Sequence, residues 1–241
     1  MSRSPDPPPQ RADEPGLPAE LARAVDGVHG AADLDRMYAS LHAELGRERG
    51  LRAWLRARST VARGLMALGL VAAVSALVAL GFARPDLGSF PPARMALSLA
   101  AMALLMIVGV ALALRPLQRA ALPAWVGPAA ITGSLAVLAG LYLVSPFDLP
   151  RAAFDAATLR PALVCMAIGL LLGVPVYGAL LLLDRGGSRQ ALPMAMAAGL
   201  AANLELHIHC PSADPLHLML GHFGAAVLLL LATALWVRAG R

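Results

Sequence analysis

Residues 161–183 read PALVCMAIGLLLGVPVYGALLLL, twenty-three positions without a charged side chain. An α-helix rises 1.5 Å per residue, so about 20 apolar residues cross the hydrocarbon core of a bilayer. Working outward, similar stretches occupy 65–82, 95–114 and 124–144 on one side, and 191–206 and 216–237 on the other. None alternates with the period of two that a barrel strand requires. The first begins too far from Met1, and without a cleavage-like site, to read as an ordinary signal peptide. The expected fold class is therefore all-α, a polytopic membrane helical bundle with six transmembrane helices. It follows a cytoplasmic N-terminal segment that is partly disordered.

The stretch at 191–206 is the exception among the six. It is short and contains Pro193, Asn203 and Glu205, so its outer end is expected at the interface or buried among neighbouring helices. Two prolines, Pro128 and Pro175, are expected to kink their spans. Gly169 and Gly173 have the spacing that permits close helix packing, a weak signal in a chain with 22 glycines.

Orientation follows from arginine, because the chain has no lysine. With the N-terminus inside, sixteen of the twenty arginines fall on the cytoplasmic side, and only Arg84, Arg94, Arg151 and Arg160 on the other. The positive-inside rule then places both termini in the cytoplasm, in agreement with an even number of crossings. The high pI thus reports topology. Ten arginines in the first 64 residues are offset by nine acids, which argues against direct nucleic-acid binding.

Two domains are expected, a cytoplasmic segment at 1–60 and the six-span domain at 61–241. The segment opens with a proline-rich, polar stretch that should be disordered. Asp33 can then cap an amphipathic helix over about 33–58, in which Leu34, Met37, Tyr38, Leu41 and Leu45 recur at offsets of three and four. Gly46 and Gly50 weaken the stretch between them. A helix this short buries too little surface to fold alone, so its stripe needs a partner. The bilayer surface is one candidate, reached through Trp54, Arg52, Arg56 and Arg58. A second copy of the chain or a soluble protein groove are the others. Asp33, Asp35, Glu44 and Glu48 would be repelled by anionic lipid and would suit a basic protein partner.

A second cluster lies near the other end, where Glu205, His207, His209, Cys210, Asp214, His217 and His222 fall within eighteen positions. Cys165, about one turn into the fourth span, sits near the same outer face. Three readings are open. Cys165 and Cys210 can pair as a disulfide in an oxidising compartment. His207, His209, Cys210 and His217 can ligate a zinc- or copper-like metal ion. Interfacial polar residues near lipid headgroups are the third reading. On an ordinary α-helix His217 and His222, five apart, do not share a face well. A catalytic or haem-ligating site has weaker support, with His209 and His222 a poor bis-histidine pair. There is no Walker loop, HExxH, GxSxG or intramembrane acidic pair, so no catalytic residues are assigned and no enzyme is expected.

The six spans, Cys165, Pro175, Gly199, the His209-Cys210-Pro211 loop and Asp214-Pro215 before the last span resemble the NrsF-type membrane anti-sigma factors; CarR-like regulators of carotenoid synthesis look similar. The resemblance is best over the last 80 residues. It implies a bacterial inner-membrane protein that sequesters an extracytoplasmic-function sigma factor and releases it on an envelope, redox, metal or light-related signal, with proteolysis as one exit route. Its cysteine pair would sense, and Leu34, Met37, Tyr38, Leu41 and Leu45 would meet the sigma factor. Two features depart from that pattern: the N-terminal segment is long and proline-rich, and His217 and His222 stand where aromatic residues are expected. The alternative is a small membrane metal- or haem-binding redox protein. A structural membrane subunit with a partner-binding tail is a third class.

Overall fold

The computed structural model describes Arg36, Ala39 and residues 50–85, 91–116, 122–143, 156–185 and 190–240, except for the side chains of 156–158. The chain divides into two compact units, Met1–Arg49 and Gly50–Arg241. In the first, only Arg36 and Ala39 are described, both helical and exposed. Leu34, Met37, Tyr38, Leu41 and Leu45 lie outside the described residues.

The second unit is a helical bundle, with no strand among its described residues. A short helix, α1 (Leu51–Ala57), precedes α2 (Thr60–Phe82), α3 (Pro92–Ala113), α4 (Val126–Leu143), α5 (Ala156–Leu183) and α6 (Ala191–His209). The last helix, α7, runs over Pro215–Ala239. Six of these helices, α2 to α7, are long and apolar enough to span a membrane, and the protein is a multi-pass membrane protein.

Helix boundaries follow local chemistry. Gly50, at φ +88°, takes a left-handed conformation that suits glycine and starts α1. The helix expected to run on to residue 58 stops at Ala57, because Ser59 begins a new one: its hydroxyl accepts from Ala62 N at 3.2 Å. The first span therefore starts at Thr60, five residues before its apolar run. Pro128 lies in the first turn of α4, where a missing N–H breaks no helical bond. Pro161 and Pro175 lie inside α5.

The least apolar of the six spans sits at the centre. Over an 18-residue window of each helix, mean hydropathy is 1.2 in α6 against 2.4 in α2, yet 89% of that window is buried in α6 and only 11% in α2. Side chains such as Asn203, Glu205 and His207 are costly against lipid and gain by enclosure. The alanine-rich remainder lets neighbours approach on every side, and α6 touches all five other spans. A methyl group at Gly109 would stand 3.1 Å from Ala197 Cβ, and one at Gly199 would stand 3.0 Å from Ala226 Cβ. Gly169 and Gly173 are used in the same way, Gly169 against Ala225 and Leu206 and Gly173 against Ala202. The fifth span is thus the axis of the bundle, and its outer end is buried among its neighbours.

One end of the bundle is fastened by arginine. Arg63 is buried on α2; its Nη1 donates to Leu183 O at 2.5 Å and its Nη2 to Thr60 Oγ1 at 3.1 Å. This satisfies a carbonyl that the last turn of α5 leaves open. Arg185 reaches back to α1, donating to Arg56 O and to Arg58 O. The Arg58 guanidinium stacks 4.1 Å from the centre of the Trp54 ring.

Candidate thiol and imidazole site

At the opposite end, α6 finishes at His209, and Cys210 N closes the last turn on Leu206 O at 2.7 Å. Pro211 to Asp214 form a short loop. Asp214 then caps α7, its Oδ2 accepting from His217 N at 2.8 Å, with Pro215 in the first helical position. The segment after α2 is tied to this corner: Arg84 N donates to Ile208 O and its Nη2 to Pro211 O, both at 3.0 Å. His209 Nδ1 lies 2.7 Å from Phe82 O.

The first turns of α7 are not an ordinary α-helix. Leu218–Phe223 form a π-helical segment, whose hydrogen bonds span five residues. On an α-helix, residues five apart diverge by about 140°. The wider turn brings His217 and His222 together, ring centroids 5.7 Å apart. The expectation that they do not share a face fails for this reason.

Glycine sets the depth of this corner. A methyl at Gly221 would meet Ala162 O at 2.8 Å and Cys165 Cβ at 3.2 Å, so only glycine lets the π segment lie against α5 here. Cys165 Sγ stands 3.7 Å from Cys210 Sγ, and Cys210 Sγ stands 3.3 Å from His217 Nε2. Both thiols are free. The ligand atoms of Cys165, Cys210, His217 and His222 all lie within 4.8 Å of one another.

His222 is fully buried, and neither ring nitrogen has a hydrogen-bond partner. It meets the Tyr142 ring edge to face at 5.7 Å. The Cys210 thiol is held well below its ordinary pKa, mainly by the hydrogen bond with Cys165 and then by the one with His217 and the nearness of the His222 ring, against the opposing effect of burial. A cleft of about 570 Å³ leads to the group, lined by Cys165, Cys210, His217, Asp214, His209 and Arg160 among others.

Among the residues expected to hold a metal, Cys210 and His217 belong to this group. His207 and His209 do not: His209 turns to Phe82 O, and His207 is buried at another place on α6. Cys165 and His222 complete the group instead.

A separate polar string lies deeper on α6. Tyr142 OH donates to Asn203 Oδ1 at 2.7 Å, and Asn203 Nδ2 donates to Gly199 O at 2.7 Å. Ser75 Oγ donates to Glu205 Oε1 at 2.5 Å. Sequence reasoning marked Asn203 and Glu205 as anomalies but missed Ser75, Tyr142, Arg84 and Gly221. A lone serine, tyrosine or glycine in an apolar run carries no signal of its partner.

No family model matches the chain, and searches of curated proteins and of solved structures returned no match either.

Proposed function

We propose that this protein is a membrane anti-sigma factor of the bacterial inner membrane. Its cytoplasmic segment sequesters an extracytoplasmic-function sigma factor through Leu34, Met37, Tyr38, Leu41 and Leu45, with the neighbouring acids facing basic, DNA-contacting surface. The signal enters at the other end of the bundle. The observation that carries this reading is the pairing of the chain's two cysteines, 45 positions apart in sequence, at 3.7 Å and unbonded at the end of the enclosed central helix. Because α6 touches every other span, a bond, ligand or modification at Cys210 bears on the packing of the whole bundle. The resemblance of the Cys165, His209-Cys210-Pro211 and Asp214-Pro215 segments to NrsF-type proteins supplies the partner class. Coupling needs little energy: a differential of about 3 kcal/mol between two packing states changes sigma affinity roughly a hundredfold.

The test is a pull-down of the detergent-solubilised protein from its own cells, with and without residues 1–60, with partners identified by mass spectrometry. Recovery of one sigma factor only with the intact segment supports the reading, and recovery of none overturns it. The proximity of His217 and His222 to the thiols favours a second reading, a membrane metal or redox protein. A visible absorption spectrum of the purified protein tests for haem or a coloured metal centre.

A further inference from the structure

We propose that Cys165, Cys210, His217 and His222 form a tetrahedral site for a divalent d10 cation, zinc, with cadmium as its softer surrogate. As the signal-receiving site of an anti-sigma factor the proposal rests on the preceding reading. As a metal site it is measured without any sigma factor.

The geometry is close to what zinc requires. With Zn–S near 2.3 Å and Zn–N near 2.0–2.1 Å, the edges of a tetrahedron are about 3.8 Å between sulfurs and about 3.5 Å between sulfur and nitrogen. The corresponding separations are 3.7 Å for Cys165 and Cys210 and 3.3 Å for Cys210 and His217. No separation in the group exceeds 4.8 Å. Closing the widest of these separations to a tetrahedral edge takes side-chain movements of roughly 1 Å.

Three independent features point to a ligand. His222 is wholly enclosed with both ring nitrogens unpartnered, a costly arrangement for a polar ring unless something is bound there. The π segment over Leu218–Phe223 is what brings His222 beside His217, and such segments are concentrated at functional sites. The cleft is lined by Cys165, Cys210 and His217 themselves, so an ion has a way in.

Charge selects among metals. Two thiolates and two neutral imidazoles around a divalent ion form a neutral unit, which suits a buried position at the end of a membrane helix. A monovalent copper ion would leave the same shell with one uncompensated negative charge. Magnesium and calcium want oxygen ligands and are poor fits to this donor set. The bound ion would tie α5, the α6–α7 loop and α7 together.

The experiment uses the reduced full-length protein in lipid nanodiscs. Cd²⁺ is titrated against a competing chelator and followed by sulfur-to-metal charge-transfer absorption. One equivalent binds, with the absorption of two thiolates, and Cys165→Ser and Cys210→Ser each remove about half of that absorption. His217→Ala and His222→Ala keep it but weaken binding by about a hundredfold, the upper end of what losing even an outer-shell partner costs. Histidine variants that bind as tightly as the unmodified protein overturn the proposal. Should a variant fail to fold, the unmodified protein still decides. One equivalent of Zn²⁺ protects both cysteines from alkylation, and unchanged labelling of Cys165 and Cys210 overturns the site. Sigma-factor retention is scored separately. Retention without metal binding overturns this proposal alone, whereas metal binding without retention overturns the anti-sigma reading alone.

Discussion

His217 and His222 stand with ring centroids 5.7 Å apart because the helix between them widens into a π segment. The widening places His222 against Tyr142 on one side and within reach of the two thiols on the other. Gly221 is what lets this segment sit close to α5.

Gly221→Ala is therefore expected to open the site. The added methyl would stand 2.8 Å from a backbone oxygen, Ala162 O, which cannot rotate away. Overpacking of this kind costs about 1–3 kcal/mol. The chemical test is the rate at which a mild oxidant links Cys165 to Cys210 within one chain. Linking in the variant as fast as in the unmodified protein would refute the role given to Gly221.

Tyr142→Phe removes the hydroxyl that donates to Asn203 Oδ1 at 2.7 Å. Hydrogen bonds between membrane helices are worth about 0.6 kcal/mol on average and at most about 1.7. A loss in that range is expected, read from reversible unfolding in mixed micelles. A gain in stability would mean that Asn203 finds a better partner without Tyr142.

Arg63→Ala leaves Leu183 O without its charged donor at the end of α5. A hydrogen bond to a charged group contributes about 1.5–3 kcal/mol, and a loss of that size is expected. Arg63→Lys should recover only part of it, since the ammonium cannot reach Leu183 O and Thr60 Oγ1 with the same fork. Equal stability of the lysine and arginine forms would show that charge alone is needed.

The depressed pKa of Cys210 gives stability a pH dependence of known sign. Below the ordinary thiol value the unfolded chain holds a proton at this position that the native protein does not. The contribution is complete above that ordinary value and is lost progressively as pH falls toward the native one. Cys210→Ser should flatten the slope of unfolding free energy against pH between about pH 6 and 8. An unchanged slope would mean that Cys165 and Cys210 exchange the proton without net uptake.

On the anti-sigma reading, Leu41→Asp with Leu45→Asp places charge in the apolar stripe that the sequence predicts for the N-terminal segment. Retention of the proposed sigma-factor partner at the membrane is then expected to fall by an order of magnitude or more, as when central interface anchors costing about 2 kcal/mol or more are removed. Undiminished retention would exclude that stripe as the main contact, while leaving the thiol and imidazole site untouched.

Length and composition alone determined that six helices cross the membrane, because the hydrocarbon core demands about 20 apolar residues and little else. They also brought Cys165, Cys210 and the histidines to one end of the bundle, since alternate crossings leave span four and the loop before span six on the same side. Tertiary structure decided which histidines join the thiols. An ideal helix separates His217 from His222, and only the π segment, held where Gly221 meets Ala162, reverses that. It also decided that α6, the least hydrophobic span, is the axis. Hydropathy measures affinity for lipid, whereas a helix enclosed on every side answers to close packing of small residues and to the partners of its polar ones. Those partners, Ser75 for Glu205 and Tyr142 for Asn203, come from distant helices and leave no mark on the local sequence.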